Sequence, residues 1–368
     1  MKLKGRLIAL DVLRGLTIAL MILVNTPGSW SYVYPPLLHA KWHGFTPTDL
    51  VFPFFLFILG VSTHYAFKKF SREQNSNALK KIVIRTLIIF AIGLFLNLFP
   101  KFNFHTVRVY GVLQRIAIAY GIGATLCLLL NKKLLIFITV GILLLYWGLL
   151  FFLVPENPFD AQTNLVGKID LFLLGSKHMW NGLGFPFDPE GLLSSFPSIA
   201  TVIIGNLTGY FIIKPSSNHN TVKSLLIYGS VLLVIGWFWS YIFPINKSLW
   251  TSSYVCFTSG LAMVFLASLI WIIDIKCFKR WSEPFIHFGT NSLFIFVFSG
   301  LYSRSIIYLI KYTNAQGETM TGYQFLYMKL FVPLAGNMNG SLLFAITHIL
   351  FFWGLVYILF RKKIFIKI

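Results

Sequence analysis

Ten apolar runs, each about long enough to cross a bilayer, constrain this chain more than any other feature. They fall at 7–25, 48–68, 79–99, 109–130, 134–154, 191–213, 222–243, 251–274, 285–309 and 341–361, against a requirement of about 20 residues for a helix to span the hydrocarbon core. The reading is an all-α integral membrane protein of about ten transmembrane helices, forming one polytopic domain over 1–368. Composition agrees: 57% of the 368 residues are hydrophobic and 11% are charged, where a soluble globular chain carries about 25% charged residues.

The formal charge of +20 would point to nucleic acid if the bases shared a soluble face. They cluster instead in short connections, so no nucleic-acid partner is expected and the lipid bilayer is the surrounding one. One set of connections holds Lys2–Arg6, Lys68, Lys69, Arg72, Lys80, Lys81, Lys132, Lys133, Lys214, Lys223, Lys276, Lys279, Arg280 and Arg361–Lys367; the other holds most of the acids. The positive-inside rule then puts both termini in the cytoplasm. The first run contains Asp11 and Arg14 and lacks a small-residue cleavage site, so it reads as an uncleaved helix. Cys127, Cys256 and Cys277 show no metal spacing. Segment 322–336 is apolar, but a crossing there would put the last basic cluster outside, so it reads as re-entrant or interfacial. The long connection 155–190 reads as a folded cap, closing the outer mouth together with loop 26–47.

That second loop concentrates reactive groups. His39 and His43 stand among Trp30, Lys41, Trp42 and Asp49, at the mouth of an otherwise oily chain. Aromatics alone would mark only an interfacial belt; the histidines and the acid point to a site. The histidines' spacing of four suits zinc only on a helix, which Gly44 and the nearby prolines oppose, and no third ligand is evident, so no metal is expected.

Ionisable groups within spans are costly and tend to carry function. Asp11 and Arg14 are placed to pair on one helix face, or Arg14 to meet an anionic ligand. Arg115, beside Gln114 in the fourth span, has no local acid and needs a partner on another helix or on a ligand. Asp188 and Glu190 precede the sixth span, where the helix dipole favours acids; paired carboxylates also suit an amine or sugar hydroxyls. Asn246, Lys247 and Trp250 lead into the eighth span, and Asn291 lies within the ninth. No G-x-S-x-G, P-loop, H-E-x-x-H or dinucleotide fingerprint is present.

The segments LDVLRG, LVN, HAKWHGFTPTDLVFPFFLFILG, GVLQRIAIAY, DPEGLLSSFPSI, PINKSLWTSSYV, GTNSL and YILFRKKIFIKI resemble the heparan-α-glucosaminide N-acetyltransferase family, from about residue 6 to the C-terminus. The most specific block is H-A-x-W-x-G-x-T-x-x-D-L-V-F-P at 39–53. The resemblance is to compact bacterial-type members, which implies a multi-pass protein of the bacterial inner membrane. It further implies acetyl-CoA as co-substrate, bound from the cytosol with its pantetheine arm in a helix-lined pore, and an amino-sugar or glycan acceptor on the outer face.

By motif match, His39 is the implied catalytic histidine and Asn25 the asparagine at the end of the first span. A neutral imidazole suits deprotonation of an amine; covalent transfer through His39 is the other route. Asn25 suits oxyanion donation, and Asp49 suits either orienting the imidazole or capping a helix. Arg14, Gln114, Arg115 and Asn291 are expected along the acetyl-CoA route, and Trp42, Asp188, Glu190, Asn246 and Trp250 around the acceptor. A homodimer is compatible with this reading. The competing reading is a secondary transporter for an amino sugar, although the inverted repeats and paired broken helices of many transporters are not evident.

Overall fold

Helices follow the apolar runs closely in the computed structural model, which describes residues 7–67, 75–154, 156–213, 218–313 and 317–366. The chain order is α1 (Ile8–Asn25), α2 (Val51–Phe67), α3 (Asn75–Leu98), α4 (Val112–Leu129), α5 (Lys132–Leu153), α6 (Leu165–Leu174), α7 (Leu192–Ile213), α8 (Asn218–Trp239), α9 (Ser252–Leu269), α10 (Glu283–Thr290), α11 (Ser292–Tyr308), α12 (Gly322–Leu326) and α13 (Val332–Arg361). Among the described residues nine helices are long and apolar enough to cross a membrane; α10 and α11, bent by 74° at Asn291, form a tenth if taken as one span. Helices dominate because backbone polar groups in lipid must be satisfied within the segment.

The pairs α2–α7, α3–α4, α8–α9 and α1–α10 pack side by side. The approach of α2 to α7 is close enough to require small residues: a Cβ on Gly60 would stand 2.0 Å from the Val202 carbonyl oxygen, and one on Gly205 would stand 2.2 Å from that of Phe57. The main core lies between these helices, while α3 and α8 present large apolar side chains such as Leu87 and Phe238 outward.

Segment 322–336 is helical, but Gly336, at φ 73° and ψ −177°, breaks the path before the remainder of α13. Only glycine adopts that backbone region readily. An exposed antiparallel hairpin, Lys311–Thr313 with Thr319–Thr321, joins α11 to α12. Of connection 155–190, the described residues 156–190 are folded, with α6 inside them. The bases Lys80, Lys81, Lys132, Lys133 and Lys223 sit at the starts of α3, α5 and α8, and Arg361 ends α13. Lys2, Lys4, Arg6, Lys68, Lys69, Arg72, Lys214 and Lys367, expected in the same connections, lie outside the described residues.

Candidate active site

Loop 26–50 folds back on itself before α2 begins. Thr46 and Asp49 form a capping box at its end, and Thr46 Oγ1 donates to the Leu38 carbonyl at 2.6 Å. Asp49 Oδ2 accepts from the Ala40 and Thr46 amides, each at 3.0 Å. Its Oδ1 lies 2.6 Å from His39 Nδ1. Asp49 thus caps the helix with one oxygen and meets the His39 imidazole with the other. The carboxylate is 1% exposed and the imidazole 47%. An acceptor this close and this buried favours the tautomer with hydrogen on Nδ1, which leaves the Nε2 lone pair open.

A second connection delivers a cation. The Gly44 amide donates to the Ile245 carbonyl at 2.7 Å, docking the histidine loop on the turn between α8 and α9. Within that turn Asn246 Oδ1 accepts from the Leu249 amide at 2.8 Å, and Trp250 takes φ 52°. Lys247 is thereby carried to the imidazole, with Nζ 3.0 Å from His39 Nδ1, 3.3 Å from Nε2 and 3.4 Å from Asp49 Oδ1. Burial pushes the Lys247 ammonium below the usual lysine value, against the upward pull of Asp49 and Glu190. His43 stands apart from this triad, its Nδ1 3.4 Å from Asn246 Nδ2, and burial lowers its imidazole below the usual value.

Three adjoining cavities lead away from His39. The one that His39 lines, about 160 Å³, is also walled by Lys247, Glu190, Asn25 and Phe55. At Phe55 and Ile116 it meets a cavity of about 320 Å³, lined by Arg14, Arg85, Ser62 and Tyr120. At Asn25, Met21 and Val112 it meets a third, of about 280 Å³, which includes Gln114 and Arg108. The series runs from the first half of α1 to its far end. Asn25 has no hydrogen-bond partner among the described residues, so its amide is open to a ligand.

Arg14 reaches Asp11 Oδ1 at 3.2 Å and donates to Ser62 Oγ at 2.6 Å on the cavity wall. Gln114 faces the third cavity, with no partner for Nε2 among the described residues. Arg115 lines none of the three. It donates to the Pro189 carbonyl at 2.5 Å, to Ser194 Oγ and to Ser195 Oγ at 3.3 Å, and it lies 4.8 Å from the Trp250 ring. Asn291 lines none of them either: it donates to the Ile364 carbonyl at 3.1 Å and accepts from the Ile366 amide at 2.8 Å.

Of the residues expected around an acceptor, Glu190 faces the His39 cavity, and the others hold its surroundings. Trp42 donates to the Phe159 carbonyl at 2.8 Å, joining the two cap loops. Trp250 is fully buried against Phe52 and Tyr254, and Asn246 shapes its turn. Asp188 is buried and takes both arms of Arg108, at 2.8 and 2.6 Å, while the same guanidinium reaches Glu190 Oε2 at 2.5 Å. Burial would raise the Glu190 carboxyl, but Arg108, Arg115 and Lys247 hold it below its usual range. Burial pushes Asp170 up to about 7; its Oδ1 caps α7 through the Leu192 amide at 2.9 Å.

Sequence reasoning passed over Lys247 and missed Arg108 and Arg85. For Arg85 the signal was available, since it is an ionisable group inside an apolar run, the property that singled out Arg115. Arg108 departs from the scarcity of bases on its side of the charge pattern.

A multi-pass helical protein with a carboxylate-oriented histidine beside a lysine, at the end of a line of cavities, has the parts of a membrane-embedded group-transfer enzyme. Comparison with known proteins makes this specific. Residues 6–243 match the family described as heparan-α-glucosaminide N-acetyltransferase, catalytic, and the chain belongs to that family. It is 27% identical to human heparan-α-glucosaminide N-acetyltransferase over 428 positions, covering 99% of this chain and 60% of the relative. With the mouse protein of the same name it shares 26% identity over 425 positions, covering 99% of this chain and 61% of the relative. The chain therefore spans about three fifths of the length of these relatives.

Proposed function

We propose that this protein transfers an acetyl group from cytosolic acetyl-CoA to the amine of a glucosamine-type sugar on the other side of the membrane. The observation that carries this reading is the placement of His39, Asp49 and Lys247 at the end of the cavity series that begins between Arg14 and Arg85. The cavity there fits an acyl-CoA: two guanidiniums face it, and Arg85 Nε is buried without a partner among the described residues. Arg14 and Arg85 suit the phosphates, and the apolar wall that Phe55 and Ile116 give to both cavities suits an uncharged chain. Acetyl-CoA supplies the activated acyl group as a thioester.

Asp49 accepts the Nδ1 hydrogen and fixes the imidazole, so that Nε2 faces the incoming ammonium and takes its proton. The freed amine nitrogen forms a bond to the thioester carbonyl carbon, the carbon–sulfur bond breaks as the proton held on Nε2 passes to the departing sulfur, and the nitrogen gives up its remaining extra proton to the vacated Nε2, which releases it to water. Asn25 donates to the oxygen that gains charge in this step. Lys247 adds a cation beside His39 and Asp49. Glu190, ionised under the pull of Arg108, accepts from the sugar's hydroxyls or its ammonium before deprotonation.

Two measurements test the reading. Purified protein in detergent is expected to release free thiol from acetyl-CoA when glucosamine is present. In oriented proteoliposomes, transfer is expected only with acetyl-CoA on the Lys132/Lys133 side and amine on the His39 side. Efficient transfer with both substrates confined to the His39 side would overturn the transmembrane route. Glucosamine flux that needs no acetyl-CoA would favour the transporter.

A further inference from the structure

The transfer site holds an amine of its own. Lys247 is the one alkylamine among the described residues lining the His39 cavity, beside Asn25 and Glu190. The turn that carries it is tied down by its own hydrogen bonds. The Asn246 amide donates to Thr251 Oγ1 at 3.1 Å, that hydroxyl donates to the Pro244 carbonyl at 2.9 Å, and the Trp250 amide donates to the Lys247 carbonyl at 3.1 Å. Asn246, Trp250 and Thr251 are fully buried. The lysine side chain is 20% exposed, with Nζ 3.0 Å from His39 Nδ1 and 3.3 Å from Nε2. An acceptor ammonium has to come about this close to Nε2 to lose its proton, so the lysine already stands where a substrate amine must stand.

Lys247 is also more than a counter-ion to Asp49, because that carboxylate is committed elsewhere. Its Oδ2 accepts from two amides and its Oδ1 lies 2.6 Å from His39 Nδ1, which leaves Nζ as the farther partner at 3.4 Å. Burial holds the ammonium below the usual lysine value, opposed by Asp49 and Glu190 and reinforced by the charge of Arg115. A lysine has a flexible four-carbon stem, so Nζ can swing from the flank of the imidazole to the Nε2 lone pair. Lys41, on the same loop as His39, is exposed instead and lines none of the three cavities.

We infer that Lys247 is a self-acetylation site, modified by the enzyme's own acyl donor when no acceptor amine occupies the cavity. The inference rests on the transfer reading above. The ammonium gives one proton to His39 Nε2, and the freed Nζ forms a bond to the thioester carbonyl carbon. The carbon–sulfur bond breaks as that proton passes to the sulfur, and Nζ gives up its second proton through Nε2 to water. Acetyl-CoA is thereby converted to CoA, and Lys247 becomes a neutral amide. That amide removes the cation beside His39 and Asp49 and fills part of a cavity of about 160 Å³, so the modified protein no longer transfers. A bound acceptor takes the acyl group first and protects the lysine.

To test this, the full chain in detergent is incubated with acetyl-CoA, with and without glucosamine. Samples taken over time are digested and mapped by mass spectrometry, and a portion of each is freed of donor and assayed for remaining transfer. Wild type without glucosamine is expected to gain the mass of one acetyl group on Lys247 about 10²-fold sooner than on Lys41, the lower end of what an adjacent base contributes. Transfer activity should decline in step, and glucosamine should slow both. His39→Ala is expected to bring Lys247 down to the rate of Lys41. Lys41 marked as fast as Lys247, or a Lys247 rate unchanged by His39→Ala or by glucosamine, means plain chemical acetylation and overturns the inference. Unmodified Lys247 in a protein that acetylates glucosamine overturns it as well. If glucosamine is not acetylated, the transfer reading fails, and p-nitrophenyl acetate, an acyl donor with no nucleotide to bind, decides separately. Lys247 marked ahead of Lys41 by that ester upholds the site, and equal marking rejects it.

Discussion

The clusters around His39 and around Arg115 both act on Glu190, yet they are built to opposite ends. Around Arg115 the protein's own groups answer the guanidinium: Pro189, Ser194 and Ser195 accept its hydrogens, and Trp250 covers its face. Around His39 the groups are held firmly but left incomplete. Asp49 is anchored by two amides and Tyr254 donates to its carbonyl at 2.6 Å, while the imidazole is half-exposed and Asn25 is open. Burial of a charge by itself therefore does not mark a site. What marks it is a rigidly positioned group with hydrogen-bonding capacity left over for something that is not protein.

The largest expected difference is between the two histidines of the loop. His39→Ala should lower transfer by about 10²–10⁴-fold, the usual contribution of a general base, with acetyl-CoA binding retained. His43→Ala should keep a substantial fraction, because it touches Asn246 and not the triad. Steady-state rates with calorimetric CoA binding check both, and equal losses would move the catalytic role off His39. Next, Asn25→Ala should cost about 10²-fold in kcat with little change in thermal stability, since no protein group depends on its amide; an unchanged kcat would remove it from the transition state. Arg115→Met reverses that pattern. It should destabilise the detergent-solubilised protein by about 3 kcal/mol, visible as a lower melting temperature, while KM for acetyl-CoA changes little. A stable variant with a raised KM would return Arg115 to the acetyl-CoA route.

The smallest effect is in pH dependence. Lys247 is depressed below the ordinary lysine range, so it loses its proton, and the site its cation, at a lower pH than a free lysine would. Wild-type kcat/KM should therefore fall on an alkaline limb that starts below the usual lysine value. Lys247→Arg, whose guanidinium does not titrate there, should extend the plateau upward. The same limb in both proteins would assign it to another group.

The spans were legible because length and hydropathy decide them locally: the ten apolar runs match the nine spanning helices and the bent pair to within a few residues at most ends. The bend at Asn291 was not, because a polar residue within an apolar run has no local mark that separates a break from a buried contact. At the site, the H-A-x-W-x-G block located His39, and Asp49 ten residues on was read with both its roles open. Lys247, 208 positions from His39, was named but given no role, since only the docking of Gly44 on Ile245 brings it there. Arg115 was placed on the route because the cost of burying it was evident, whereas the serines that answer it lie 79 and 80 residues away.

The clasp of Asn291 on the backbone after α13 has a practical consequence for handling the protein. By holding Ile364 and Ile366, it makes the tail a wall of the chamber that Arg14 and Arg85 face. A fluorescent fusion or affinity handle appended beyond Ile366 therefore begins its path at the rim of that chamber, where it would crowd whatever enters there. An insertion at exposed Gly317 starts instead in the hairpin between α11 and α12, and it leaves the chamber's rim free for assays that depend on access.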